Sequence, residues 1–217
     1  MSMDRARTFQ HLEFRDPRPF LVQLRGVEAR VANSDLPAKA KALRTNTLRW
    51  SKELREGALF CYGMAQRIGQ TVYLAPSEAQ DYDFVASWIV GDTRHLAPVQ
   101  LKEVVPKDLN AAASVQERVN ALAKYVDSED LTVAIYLNQR GHFHPAQLIV
   151  PPLRIAALWV FGAISPDKEH WGLWVTSLKC RKERDLNTQP NSAAHSDPRA
   201  SIALCKGRTA RAGGRER

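Results

Sequence analysis

The spacing of apolar residues changes period several times along the chain, and each change predicts a new element. In LRWSKELREGALFCYGMAQRIG, residues 48–69, the apolar positions Leu54, Leu59, Tyr62, Met64, Ala65 and Ile68 recur at helical spacing. A helix is predicted there, with Ser51 as its N-cap and Glu53 in the first turn, where the helix dipole favours a carboxylate. Gly69 is a natural stop. Gly57 and Gly63 each cost such a helix roughly 1 kcal/mol, so close packing is expected at those positions.

The period then falls to two. QTVYLAP reads as a short strand ending at a proline. DYDFVASWIV and TRHLAPVQLKEVV read as two strands joined at Gly91-Asp92, a two-residue turn whose glycine accepts positive φ. Ser114-Val115-Gln116-Glu117 is a capping box opening the helix SVQERVNALAKYV, with Val115, Val119, Leu122 and Val126 at helical spacing. LTVAIYL is an apolar, β-branched run that reads as a buried strand. RGHFHPAQLIVPPLR is irregular, broken by Pro145, Pro151 and Pro152. IAALWVFGAIS and HWGLWVTSL read as a second hairpin carrying Trp159, Trp171 and Trp174. Residues 1 to 45 have no clear period: PFLVQLRGVEARV is compatible with a strand or an irregular cover, and LPAKAKALR has helical composition. The order helix, strand, strand, strand, helix, strand predicts an α/β fold.

The first hairpin carries polar residues at the end away from its turn. With Gly91-Asp92 as the turn, Asp83 stands opposite Gln100 and Asp81 opposite Lys102. Side chains alternate faces, so all four project to one side. A bulge at Pro98, or a turn at Asp92-Thr93, would shift the register and separate them. Two carboxylates and an amide oxygen suit a hard divalent cation such as Mg²⁺. A lysine beside such a cation can orient or deprotonate a water, which is what phosphodiester hydrolysis requires. The plainer reading is that Asp83 marks a strand end and that Gln100 and Lys102 lie on a solvated face.

Composition narrows the setting. The 217 residues, 44% hydrophobic and 25% charged, suit one good core with an additional lobe. No apolar run approaches the roughly 18 to 20 residues that span a bilayer, and MSMDRARTFQHLEF has no apolar signal region. No membrane association and a cytoplasmic location are therefore expected. Cys61, Cys180 and Cys205 are odd in number and form no CxxC, which argues against a disulfide framework or a zinc ribbon. Cys61 reads as a buried apolar residue. Of the net charge of +8, residues 179–217 carry ten Lys/Arg against four Asp/Glu, a net of +6, which leaves +2 for the remainder. That tail reads as disordered and is either without a role or a non-specific phosphate-binding arm.

Asp83 in DYDFVA and Gln100-Leu101-Lys102 in PVQLKEV, set on the second and third strands of this element order, resemble the restriction-endonuclease-like, PD-(D/E)XK, nuclease superfamily. The glutamine resembles the Mrr-like branch, in which Gln replaces the usual Glu or Asp of the third strand. The resemblance implies an αβββαβ core, a mixed sheet flanked by helices, here with a C-terminal β-hairpin added. It implies that Asp83 and Gln100 hold Mg²⁺, with Mn²⁺ able to substitute, and that Lys102 serves the attacking water. Family members often add a glutamate from the first helix. Glu53 and Glu56 are the candidates, Glu56 slightly preferred, and Asp81 is a further outer ligand. The expected boundaries are an N-terminal extension over 1–45, a nuclease-like domain over 46–178 and the basic tail over 179–217. The implied function is divalent-metal-dependent cleavage of nucleic acid, DNA before RNA. Many double-strand cutters of this type are dimers, which leaves a homodimer open. The alternative is an inactive nucleic-acid-binding or assembly module on the same scaffold. His142-Phe143-His144 lacks a third ligand at a fixed spacing, His95 sits near the turn, Glu78 precedes the key strand, and the tryptophans are more simply core or interface residues than base-stacking ones. Glu103 should face away from Lys102.

Overall fold

The structure is a computed structural model, and it describes residues 3–37, 41, 49–77, 81–126, 128–139, 141–166, 168–176 and 201–203. Helix α1 (Met3–Gln10) and helix α2 (Pro17–Ala32) precede helix α3 (Arg49–Ile68). Strands β1 (Tyr73–Pro76), β2 (Phe84–Val90) and β3 (Thr93–Val104) follow. A short helix α4 (Val115–Asn120), continued by a 3-10 turn over Ala121–Lys124, leads to β4 (Ser128–Leu137). Then come β5 (Ile155–Ala163), β6 (His170–Thr176) and β7 (Ser201–Ala203). All seven strands form one sheet in chain order. The pairs β1–β2, β2–β3, β5–β6 and β6–β7 are antiparallel. β3–β4 and β4–β5 are parallel. The molecule is thus an α/β protein with a mixed sheet, and β5–β6 is the expected second hairpin.

Each face of the sheet has its own core. On one face Leu59, Phe60 and Cys61 of α3 pack against Phe84, Ala86, Val99 and Leu101. On the other, Val115 and Val119 of α4 and Phe9 of α1 pack against Val85, Val104, Val133 and Ile135. Gly57 lets α3 come this close: a Cβ there would stand 2.9 Å from Leu74 Cδ1 and 3.1 Å from Phe84 Cε1. The edge of β1 is closed by a two-way backbone bridge to Arg15, each hydrogen bond 2.9 Å long.

The β2–β3 register follows from its turn. Gly91 has φ +57°, Val90 pairs with Thr93, and the ladder runs without a shift to Phe84 opposite Val99. Pro98 pairs with Val85 and causes no bulge. Asp83 N–H donates to Val99 O at 2.9 Å, so Val99 points its backbone groups at β2 and Pro98, by alternation, points its own away. The missing proline donor is therefore not wanted in this ladder.

Several expectations need correction. α3 begins at Arg49, so Ser51 lies inside the helix rather than at its cap, and Glu53 falls beyond the first turn. PFLVQLRGVEARV is neither strand nor irregular cover. It is the body of α2, started by Asp16, whose side chain accepts the Arg18 N–H at 3.0 Å, with proline in the first turn. The Ser114 cap is present, its side chain accepting Glu117 N–H at 3.1 Å, but the α-helix ends at Asn120 and Val126 is 60% exposed. Most of the 179–217 tail lies outside the described residues, as does most of LPAKAKALR. Ser201–Ala203, within that tail, form β7 on the edge of β6.

Candidate functional site

Asp83 stands one residue before β2, where the ladder becomes irregular. Its N–H goes to Val99 O, and its carbonyl accepts from Ser77 N–H at 3.1 Å. Its side chain turns to β3. Asp83 Oδ2 accepts the Leu101 N–H at 2.6 Å and a hydrogen from Gln100 Nε2. These contacts answer why a charge sits at this strand end: the carboxylate takes over a backbone donor that β2 no longer reaches. Gln100 Nε2 also lies 3.4 Å from Leu101 O. Asp83, Gln100 and Lys102 are all half-buried.

The electrostatics of the group are those of a site short of solvent. Burial raises the Asp83 carboxyl; the Leu101 N–H opposes the rise, the charge of Glu53 adds to it, and Lys102 and Gln100 also oppose it. Burial lowers the Lys102 ammonium, the Asp83 carboxylate opposing and Arg118 of α4 reinforcing the shift. Glu53, on α3, is therefore the helix glutamate whose field reaches Asp83. Asp81 is exposed and beyond the regular ladder, so the expected opposition to Lys102 does not form. Its charge is felt instead at Tyr125, whose phenol burial raises, with Lys124 opposing and Asp83 and Asp81 adding.

Glu56 is placed elsewhere. It is 3% exposed and faces Lys52, Arg55 and Glu103. Glu103, next to Lys102, points to the other side of β3, as alternation requires, and ion-pairs with Lys52.

Arg118 and Tyr125 were not singled out by sequence. Arg118 Nε donates to Glu103 O at 3.0 Å, which fixes its guanidinium beside β3. Nothing in SVQERVN separates that arginine from a surface one. Tyr125 closes the 3-10 turn, its N–H donating to Leu122 O at 3.0 Å. Among the described residues, no group of three or more His, Cys, Asp or Glu side chains is close enough to hold a metal ion.

The other candidates resolve into packing. His142 and His144 stack on each other, ring centroids 6.3 Å apart. His95 stacks on Trp88 at 5.2 Å. Trp171 is buried against Tyr136, Trp159 packs on Phe60, and Trp174 packs on Phe143. Glu78 lies outside the described residues. A cleft of about 320 Å³ at the start of α2 and the end of α3, lined by Asp16, Arg18, Tyr62 and Gln66 among others, shares no residue with the Asp83 group. No helix among the described residues is long and apolar enough to cross a membrane. Compared with known proteins, the chain matches no protein-family model, no curated protein and no solved structure.

Proposed function

We propose that the chain is a divalent-metal-dependent nuclease on a restriction-endonuclease-like core, acting on DNA. The observation that carries the reading is the meeting of Asp83 with Gln100 across the β2–β3 pair, with Lys102 half-buried within reach of the Asp83 charge. The connectivity supports it: a helix, an antiparallel three-strand meander, a crossover helix, and a strand parallel to the third.

The donor set fits a hard cation. Asp83 is a half-buried carboxylate under the field of a second carboxylate, Glu53, and a divalent ion would relieve that repulsion. Gln100 has its amide nitrogen toward Asp83; turning the amide over presents its oxygen instead. Asp83, Gln100 and Glu53 would hold the ion, with the Leu101 carbonyl beside them. When bound, it would neutralise charge at the scissile phosphate and acidify a water. Lys102 has the protein's share of the chemistry. Burial favours its neutral form, which can accept a proton from the attacking water, and its ammonium form can donate to a phosphoryl oxygen. Arg118, fixed by the Glu103 carbonyl, adds positive charge where a phosphate would lie.

A specific observation favours the rival, a binding or assembly module without catalysis. Asp83 Oδ2 is already engaged by two donors, which is what a purely structural strand end would show. Incubation with plasmid in Mg²⁺ or Mn²⁺ separates the two. The nuclease reading expects cleavage that is lost in both Asp83→Ala and Lys102→Ala. Salt-sensitive DNA binding without cleavage selects the rival, and equal cutting by parent and both variants removes the assigned roles.

A further inference from the structure

Behind the Asp83 group, on the other side of β3, lies a second polar cluster that the proposed chemistry does not use. Lys52 Nζ ion-pairs with Glu103 Oε2 and stands 3.6 Å from Glu56 Oε1. Asn138 Nδ2, just past β4, donates to Glu103 Oε1 at 2.6 Å. Glu103 thus has a donor on each oxygen, the arrangement an ionised carboxylate prefers. Glu56 is almost wholly buried, and its Oε1 has no hydrogen-bond partner. One ammonium serves a buried carboxylate, Glu56, and a part-buried one, Glu103, and the shorter contact is to Glu103. Arg55 is engaged elsewhere, its Nε pairing with Glu28 of α2 at 2.6 Å, and it acts on Glu56 through its charge. A buried carboxyl with an oxygen left unpaired costs less neutral than charged.

We propose that Glu56 is a buried proton-binding site that works as a latch between α3 and β3. With the proton on, Lys52 belongs to Glu103 and the two elements are held together. With it off, two carboxylates compete for one ammonium, and Glu56 regains solvent only if α3 lifts from the end of β3. The charged groups facing Glu56 are Lys52 and Arg55 from its own helix and Glu103 from β3, with the Tyr136 hydroxyl nearby on β4. Burial pushes its carboxyl up to about 7, Lys52 opposing, Glu103 reinforcing and Arg55 opposing. The folded carboxyl lies above its unfolded value, so the folded state binds the proton more tightly. Stability from the latch is fully present below the unfolded carboxyl range near 4, falls as pH rises from there, and is gone above about 7.

The latch sits directly behind the site. Lys52 precedes Glu53, and Glu103 follows Lys102, so the ion pair holds the two segments whose other residues bear on Asp83. Control of catalysis rests on the nuclease reading; the latch itself does not.

Hydrogen exchange on the full chain, followed over α3 and β3 and corrected for intrinsic rates, tests it. Between about pH 5.5 and about pH 8, protection in the parent should fall on the order of twentyfold, the factor given by a carboxyl moved from its ordinary range up to about 7 in the closed state. Glu56→Gln keeps the shape, removes the titration and should show no such fall. Protection independent of pH in the parent, or the same slope in Glu56→Gln, overturns the proposal. Should Glu56→Gln fail to fold, carboxyl-carbon NMR on the parent decides. A glutamate titrating near neutral pH, and lower in Glu103→Gln, sustains the latch, while every glutamate titrating in the ordinary range ends it. Plasmid cleavage is read on the same samples: absence of cutting at every pH removes the nuclease reading and leaves the exchange result standing.

Discussion

Replacing Asp83 by asparagine or by alanine should separate the two things its carboxylate does. Alanine strands the Leu101 N–H, which now goes to Oδ2 at 2.6 Å in a residue only 8% exposed. A buried donor left unpaired costs about 1–3 kcal/mol. Gln100 is half-buried and can turn to water, so it adds little. For a chain of this length that loss is a drop in Tm of roughly 2 to 12 °C. Asparagine keeps an acceptor for Leu101 and lets the Gln100 amide turn over, while removing the charge. Burial has raised the Asp83 carboxyl, so its ionised form is a penalty in the folded state. That penalty is absent at low pH, enters as pH rises through the unfolded carboxyl range near 4, and is complete above the raised folded value. Asp83→Asn should therefore match or exceed the parent in Tm at neutral pH and converge with it on acidification, with alanine well below both. Cleavage should be lost in both variants. Thermal melts at neutral and acidic pH, with plasmid assays on the same preparations, measure this. An asparagine variant as unstable as alanine at neutral pH would mean that the charge stabilises the fold in place, and the desolvation reasoning would be wrong.

Three further outcomes are expected. Glu53→Gln should weaken Mn²⁺ binding and cleavage by roughly 10- to 100-fold, whereas Glu56→Gln at mildly acidic pH should leave both near parent values; titration calorimetry and plasmid assays check this, and the reverse order would exchange the two glutamates' roles. Gly162→Ala should lose about 1–3 kcal/mol in urea melts, because the new Cβ would stand 2.7 Å from Leu137 Cβ and 3.1 Å from its backbone oxygen; an unchanged midpoint would show that β4 and β5 separate freely there. Cys61, wholly buried, its thiol raised by burial, should resist alkylation in the native protein and react on unfolding; fast native labelling would contradict its packing under α3.

The hairpin was legible because two local signals agreed. Gly91 had to take positive φ, and strict alternation then allowed one register in which Phe84 and Val99 face one core and Val85 the other. The helix contribution was not legible. Glu53 and Glu56 are one turn apart, and only the packed position of α3 shows that the charge of Glu53 reaches Asp83 while Glu56 faces Lys52 and Glu103. Three extra residues at the start of α3 also removed the dipole explanation for Glu53. α2 was not legible because its apolar residues showed no clear period; Pro17 and Pro19 stand in its first turn, where a proline loses no helical hydrogen bond. Val126 shows the opposite failure: its spacing was helical, but the helix tightened into a 3-10 turn before reaching it.

Alternation along β3 ties the two polar clusters into one design. Gln100 and Lys102 face the α4 side, while Leu101 and Glu103 face α3. Leu101 is buried in the α3 core and also gives its N–H to Asp83. Any movement of α3 against β3 must therefore strain either the Lys52–Glu103 pair or the Leu101 packing, and through Leu101 it reaches the Asp83 carboxylate. A strand with all its polar groups on one side would put them in a single solvated row. Splitting them between faces leaves each carboxylate short of water and gives each a lysine of its own, Asp83 beside Lys102 and Glu103 on Lys52. Under that pairing, a single proton on Glu56 is a large local change, because it decides how many carboxylates the Lys52 ammonium must serve.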